Sequence, residues 1–199
     1  MKTQSTLHYL TYYYPPIPSI ASKRNFYLFG EFSKRYTESI LYVSSNKKYF
    51  ESEGKTQNPI TVRYIPTLDY RTIVKGFKKS DSRESIHFDE TKKQSRITRF
   101  LIKLNETMPL SFLVGEGGLI YIISGIYRLS KDIKNPGNHT VFTAFRPTSN
   151  VLIGCILKRL FPSINWIVSM HDIPILEKRP NTFFPRLQTK IWKQLLKRA

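Results

Sequence analysis

The stretch that decides the fold class lies between residues 139 and 170 and reads HTVFTAFRPTSNVLIGCILKRLFPSINWIVSM. Its first part predicts a strand over residues 139–145, and the apolar residues that follow predict a helix over residues 150–160. A nearly continuous apolar run then predicts a strand over residues 165–170, which is the character that a buried parallel strand requires. A strand, a helix and a strand in this order form a parallel crossover unit.

A second unit of the same kind is predicted nearer the N-terminus. Residues 7–14 are aromatic and β-branched and predict a strand, which Pro15 and Pro16 end. Ser22 is then expected to cap a helix over residues 23–35, with phenylalanines at three-residue spacing. Two more strands are predicted over residues 39–45 and 61–65. The alternation predicts an α/β protein with a Rossmann-like open, mainly parallel sheet and helices on both faces.

The rest of the chain is predicted to be helical or exposed. Residues 72–78 indicate a short basic helix, and residues 79–95 a polar exposed loop with both charge signs. One helix is expected over residues 110–134 and a last one over residues 185–199. At 199 residues the chain fits one domain, residues 1–199, and has no room for a second full domain.

The excess of positive charge indicates which classes of binding partner could match this chain. The chain has 32 Lys and Arg against 14 Asp and Glu, a formal net charge of +18. Nucleic acid, anionic lipid and phosphorylated substrates could each match such an excess, and so could a generally basic proteome with no specific partner. No helix-turn-helix signature, zinc spacing or RNP-like motif is visible, so nucleic acid is not expected as a partner.

Cysteine usage and apolar patterning indicate where the chain works. Cys155 is the single cysteine, so no internal disulfide can form and a reducing, cytoplasmic setting fits best. The N-terminus lacks the continuous apolar stretch of a secretion signal. Residues 109–127 are long enough to suggest a membrane span, but Glu116 and four glycines indicate a buried helix instead. We therefore expect a cytoplasmic protein, with peripheral attachment to the inner face of the membrane as an option.

Four segments taken in order carry a resemblance to a known family. They are YYYPPIPSIASKRNFYLFGEF at residues 12–32, FLVGEGGLIYI at 112–122, FTAFRPTSNVLIGCILKRLFPSINWI at 142–167 and MHDIP at 170–174. Together they resemble the N-terminal domain of bacterial family 4 glycosyltransferases, which have two Rossmann-like domains facing a cleft, the GT-B architecture. The resemblance implies retaining, metal-independent sugar transfer to a polysaccharide or lipid-linked acceptor held by this domain.

The resemblance also implies what this chain would lack. In the family the C-terminal domain binds the nucleotide sugar, which is the donor substrate, and no other cofactor is used. Our expectation is that this chain is the acceptor-side half alone and does not transfer sugar without the donor domain. The alternative is a non-catalytic basic domain that binds a membrane surface or nucleic acid.

His171 and Asp172 are the candidate catalytic residues. They follow a predicted strand directly, and in open α/β sheets ligands bind beyond the carboxyl ends of the strands. They match the histidine and acidic residue found here in many family members. The histidine could hydrogen-bond the transferred sugar or its leaving phosphate, and the aspartate could orient it or accept the acceptor's proton. Asp172 could also serve only as the cap of the turn before Pro174.

Candidate acceptor or phosphate contacts follow the other two strand ends. The resemblance places a loop after the first strand that is commonly rich in glycine, but here it carries serine and alanine. Ser19, Ser22 and Arg24 could still contact a phosphate, or this could be a plain turn capped by Ser22. Arg146 could hold phosphate through bidentate hydrogen bonds, while Thr148 or Ser149 could be only a helix N-cap.

Overall fold

The computed structural model describes residues 3–45, 61–67, 100, 104, 107, 109–114, 117–133, 138–170 and 185–197. Five strands and five helices lie within these ranges. The strands are β1 Thr3–Leu10, β2 Tyr36–Ser44, β3 Thr61–Ile65, β4 His139–Ala144 and β5 Asn165–Ser169. The helices are α1 Ile20–Ser33, α2 Ser111–Val114, α3 Leu119–Asp132, α4 Thr148–Leu160 and α5 Pro185–Leu196.

The five strands form one open sheet in the order β3-β2-β1-β4-β5. Every neighbouring pair is parallel, so the predicted α/β fold with a Rossmann-like parallel sheet is confirmed. The chain proceeds outward from β1 to β3 and then returns to β4 on the other side of β1. The strand order therefore reverses between β1 and β4, which is the switch point where open α/β sheets bind ligands.

Helices cover both faces of the sheet, as predicted. Successive strand side chains point to opposite faces. Tyr9 and Phe142 lie on one face, where they stack at 4.5 Å between ring centroids and pack with Phe29 of α1. Leu10 and Val141 lie on the other face, in a larger core that residues of α3, α4 and α5 complete.

Helix α4 packs closely on β5 because Gly154 faces Trp166. A Cβ atom at Gly154 would overlap the indole ring of Trp166. The same indole Nε1–H donates to Thr143 Oγ1 at 3.0 Å, which ties β5 to β4 under the helix. The absence of a side chain at this one glycine thus sets how near α4 lies to the sheet.

Three predictions about individual elements differ from the structure: the end of β1, the N-cap of α1 and the burial of β5. Strand β1 ends at Leu10, not at residue 14. The N-cap of α1 is Ser19, not Ser22, because the Ser19 Oγ accepts the Ser22 amide at 3.0 Å. The strand at residues 165–169 forms as predicted, but within the described sheet it is an edge strand, and of its five side chains Trp166 is the one that is buried.

The helix predicted over residues 110–134 is two helices, α2 and α3. Gly117 between them has φ +66, a left-handed conformation that interrupts a helix and that glycine adopts without strain. At α4 the N-cap is Pro147, so neither Thr148 nor Ser149 has that role. Strand β3 has the predicted limits. The helix predicted at residues 72–78 and the loop predicted at 79–95 lie outside the described residues.

Candidate functional site

The β1–α1 and β4–α4 loops lie side by side at the carboxyl edge of the sheet. Leu10 at the end of β1 is in register with Thr143 near the end of β4. Both loops lead directly into a helix, α1 on one face and α4 on the other. Amide groups in the first turn of a helix have no partner within the helix and favour anions. The switch point is therefore flanked by two helix N-termini.

Three of the residues predicted to bind phosphate lie at the start of α1. The Ser19 hydroxyl already accepts the Ser22 amide, which engages one of its lone pairs. The Ser22 side chain is fully buried, and among the described residues its Oγ has no hydrogen-bond partner. Arg24 is half-buried, and its Nε likewise has no partner among the described residues. Ser22 and Arg24 thus retain hydrogen-bonding capacity at this edge.

Arg146 lies on the neighbouring loop, two residues beyond the end of β4. Its side chain is exposed, while the adjoining Phe145 and Pro147 are buried. The guanidinium is therefore accessible from solvent at the edge where α1 begins. The strand order brings Arg146 to the same edge of the sheet as Ser19, Ser22 and Arg24, from a position more than a hundred residues away in sequence.

His171 and Asp172 lie outside the described residues. Strand β5 ends at Ser169, and Met170 is the last described residue after it. Both residues therefore follow a strand of the sheet, as predicted, but that strand is the edge strand next to β4. Glu116 likewise lies outside the described residues.

Sequence reasoning missed a buried asparagine at the start of α1. The Asn25 Nδ2 donates to Thr11 Oγ1 at 2.8 Å and to the Tyr13 carbonyl at 2.9 Å. Its Oδ1 accepts the Tyr9 hydroxyl at 3.3 Å. A polar residue on the buried side of the helix, three positions after Ser22, was the available signal.

A second missed asparagine lies in the first turn of α4. The Asn150 Nδ2 donates to the Ala144 carbonyl at 2.9 Å and to the Arg146 carbonyl at 3.4 Å. Its Oδ1 accepts the Tyr121 hydroxyl at 2.8 Å. The side chain is fully buried. Each loop at the switch point is thus held by an amide from the helix that follows it.

A different polar cluster lies on the face covered by α3, around His139 at the amino end of β4. His8 Nε2 and His139 Nδ1 are 2.7 Å apart, and His8 Nδ1 lies 3.0 Å from the Tyr42 hydroxyl. That hydroxyl donates to Asp132 at 2.8 Å, and Arg63 Nε lies 3.5 Å from the same carboxylate. We call these five side chains the amino-end cluster, and they interact with one another through hydrogen bonds and one ion pair.

Burial controls the ionisation of the amino-end cluster. Desolvation, reinforced by nearby His139, lowers the pKa of His8 to about 4 although Asp132 opposes the shift. Desolvation also lowers the pKa of His139, with Glu38 acting against it. Burial and the hydrogen bond to Asp132 raise the pKa of Tyr42. All three side chains are therefore neutral near pH 7.

Neither a metal site nor a membrane span is found in the described part of the chain. Its His, Cys, Asp and Glu residues form no group of three or more that could hold a metal ion. Among its helices, none is long and apolar enough to cross a bilayer. Comparisons with protein-family models, with curated proteins and with solved structures found no match to this chain.

Proposed function

We propose that the chain is the acceptor-side domain of a family 4 glycosyltransferase, and that it binds the phosphate-bearing end of a glycan or lipid-linked acceptor. The observation that supports this proposal is the β1–β4 switch point, because the loop that carries Arg146 and the loop that leads into α1 follow neighbouring strands at one sheet edge. In the proposed reaction a nucleotide sugar is the donor, bound mainly by a second domain. His171 and Asp172 keep the catalytic roles that the resemblance gives them.

The chemistry of this edge suits an anionic group. A guanidinium forms paired hydrogen bonds with phosphate oxygens, and helix N-termini offer backbone amides to the same kind of group. The Ser22 hydroxyl is fully buried at the start of α1 and has no hydrogen-bond partner among the described residues. A phosphate between α1 and the β4–α4 loop would therefore meet a positive charge and backbone amides together.

Pyrophosphate is the simplest probe of this proposal. We expect its titration to shift the amide NMR signals of residues 19–22 and 146 more than those of the amino-end cluster. Arg146→Ala should raise the Kd at least fivefold, because it removes the paired donor. Arg159→Ala is the matched control, an exposed arginine in the last turn of α4. If both variants weakened pyrophosphate binding equally, net charge alone would explain the binding, and the proposed site would be refuted.

We also propose that the helical layer of α3 and α5 attaches reversibly to an anionic membrane. On α3 the exposed side chains Ile120, Ile123 and Tyr127 form a stripe that continues into Lys131. On α5 the lysines and Arg186 are exposed, and the helix contains no acidic residue. An apolar stripe beside basic side chains is typical of helices that lie in the lipid interface.

Vesicle sedimentation separates this attachment from other binding by the basic chain. The protein should pellet with vesicles rich in phosphatidylglycerol, release at high salt and stay in solution with phosphatidylcholine vesicles. Ile123→Glu should weaken the binding, while Ile20→Glu, the same change at an even more exposed isoleucine on α1 across the sheet, should not. Loss of equal size in both variants, or preference for duplex DNA over the anionic vesicles, would contradict the membrane proposal.

A further inference from the structure

The two loops at the switch point are held by the same pattern of hydrogen bonds. In each case an asparagine of the following helix donates its Nδ2 to a backbone carbonyl at or beyond the strand end, Tyr13 for Asn25 and Ala144 for Asn150. In each case its Oδ1 accepts a buried tyrosine hydroxyl, from Tyr9 or from Tyr121. The pattern therefore recurs in two helices that pack on opposite faces of the sheet.

Only an amide satisfies both halves of this pattern at once. The carbonyl of the loop needs a donor, and the tyrosine hydroxyl needs an acceptor. Aspartate in the same shape would turn an acceptor toward the loop carbonyl, and leucine would remove both the donor and the acceptor that the asparagine supplies. Asn25 and Asn150 are themselves almost fully buried, so water does not replace them easily. The position of each loop therefore depends on its asparagine.

Two side chains beside these loops, those of Ser22 and Arg146, indicate that the loops bind a ligand. Ser22 lies one turn before Asn25 on the same buried side of α1, and its Oγ has no partner among the described residues. Arg146 contributes its carbonyl to Asn150 while its side chain extends into solvent. The asparagines thus fix the backbone that carries the Ser22 hydroxyl on α1 and the Arg146 guanidinium on the β4–α4 loop.

We infer that Asn25 and Asn150 are paired positioning residues, which hold the β1–α1 and β4–α4 loops at the spacing that a phosphate-bearing ligand requires. The inference rests on the proposed function. Beyond that function, it assigns the affinity for the ligand to two buried asparagine side chains, which do not contact the ligand themselves. Preorganised groups bind more tightly because the loops need not be ordered when the ligand arrives.

The test compares pyrophosphate affinity with thermal stability across variants. Asn25→Ala and Asn150→Ala should each raise the Kd for pyrophosphate at least tenfold in folded protein. Tyr42→Phe is the matched control, because it removes a buried hydrogen bond from the amino-end cluster and should lower the Tm while leaving the Kd within twofold. Should an alanine variant fail to fold, Tyr9→Phe and Tyr121→Phe remove only the accepted hydrogen bond and should raise the Kd severalfold.

The outcomes distinguish the two levels of the proposal. If the wild-type chain binds pyrophosphate and the asparagine variants bind it equally well, the positioning role is wrong and the site stands. If affinity follows Tm in every variant, including Tyr42→Phe, the asparagines act on stability alone and the inference fails. If the wild-type chain does not bind pyrophosphate, the proposed function and this inference are both overturned.

Discussion

The polar residues within the sheet and those beyond its carboxyl edge are used in opposite ways. In the amino-end cluster, His8, His139, Tyr42 and Asp132 bond one another across three strands and a helix. At the carboxyl ends, Asn25 and Asn150 bond the backbone of the loops beyond the sheet. The side chains of the first cluster form hydrogen bonds with one another. The two asparagines instead hold the loops that follow β1 and β4.

This difference follows from what each edge has to satisfy. A side chain buried in the sheet must find partners nearby, and in the amino-end cluster those partners are other side chains. At the carboxyl edge the backbone carbonyls where β4 ends and in the loop after β1 accept hydrogen bonds from asparagine amides of the following helices. The amino-end cluster therefore stabilises the domain, whereas the carboxyl-end amides hold the loops beyond the sheet.

The largest expected effect tests whether α4 keeps its position through one close contact with the sheet. Gly154→Ala should lower the free energy of unfolding by about 3 kcal/mol, because the new methyl group overlaps Trp166 and α4 must move. Urea unfolding measures the loss. If the two edges are independent, NMR signals of the β4–α4 loop should shift while those of the His8 and His139 rings stay in place.

A matched glycine in α1 supplies the control for Gly154→Ala. Nothing lies within 4 Å of a Cβ added at Gly30. Gly30→Ala should therefore stabilise the domain by about 0.5–1 kcal/mol through helix propensity. Destabilisation of similar size by both substitutions would mean that α4 has no special contact with β5.

The next effect is a dependence on pH confined to the amino-end cluster. The unfolded chain protonates a histidine near pH 6.5, whereas folded His8 has a pKa of about 4, so the unfolded state binds more protons between these values. This contribution is fully present well above pH 6.5 and is lost as the pH falls toward 4, by about 2.5 kcal/mol at pH 4.5. Denaturation at both pH values measures it, and His8→Gln should flatten the dependence. An unchanged slope in that variant would exclude His8 as its source.

Tyr42→Phe is expected to have an intermediate effect. The substitution leaves His8 Nδ1 and the Asp132 carboxylate without the hydroxyl that joins them, which should cost about 1.5 kcal/mol in urea unfolding. Tyr27→Phe in α1 is the control, because that ring is 70% exposed and its hydroxyl is accessible to water. Equal losses would show that the amino-end cluster contributes nothing beyond an ordinary tyrosine.

The smallest effect is expected at the rim of the same cluster. Arg63 approaches Asp132 at 3.5 Å, but about half of its side chain is exposed. Arg63→Gln should therefore lower stability by less than about 0.5 kcal/mol at physiological salt, and by still less in 1 M salt. If Arg63→Gln lowered the stability more than Tyr42→Phe does, the ion pair would be the main source of the stability of the cluster.

The sequence by itself determined the alternation of strands and helices. Local apolar patterning, prolines and chain length are sufficient for that, since period and turn chemistry are properties of neighbouring residues. It placed β3 correctly and brought Arg146 and the start of α1 to strand ends. The N-cap of α1 was wrong because Ser19 and Ser22 are both good caps, and only the path of the loop selects between them.

Tertiary structure alone decided which strands are neighbours and which polar groups meet. Near-continuous apolar character at residues 165–169 suggested a buried strand, but the strand order made it an edge. His8 and His139 are 131 residues apart in sequence, and no local pattern foretells a 2.7 Å contact between them. The same holds for Asn25 and Asn150, whose partners are loop carbonyls and tyrosines. Such pairs depend on strand order and register, which arise when distant segments pack.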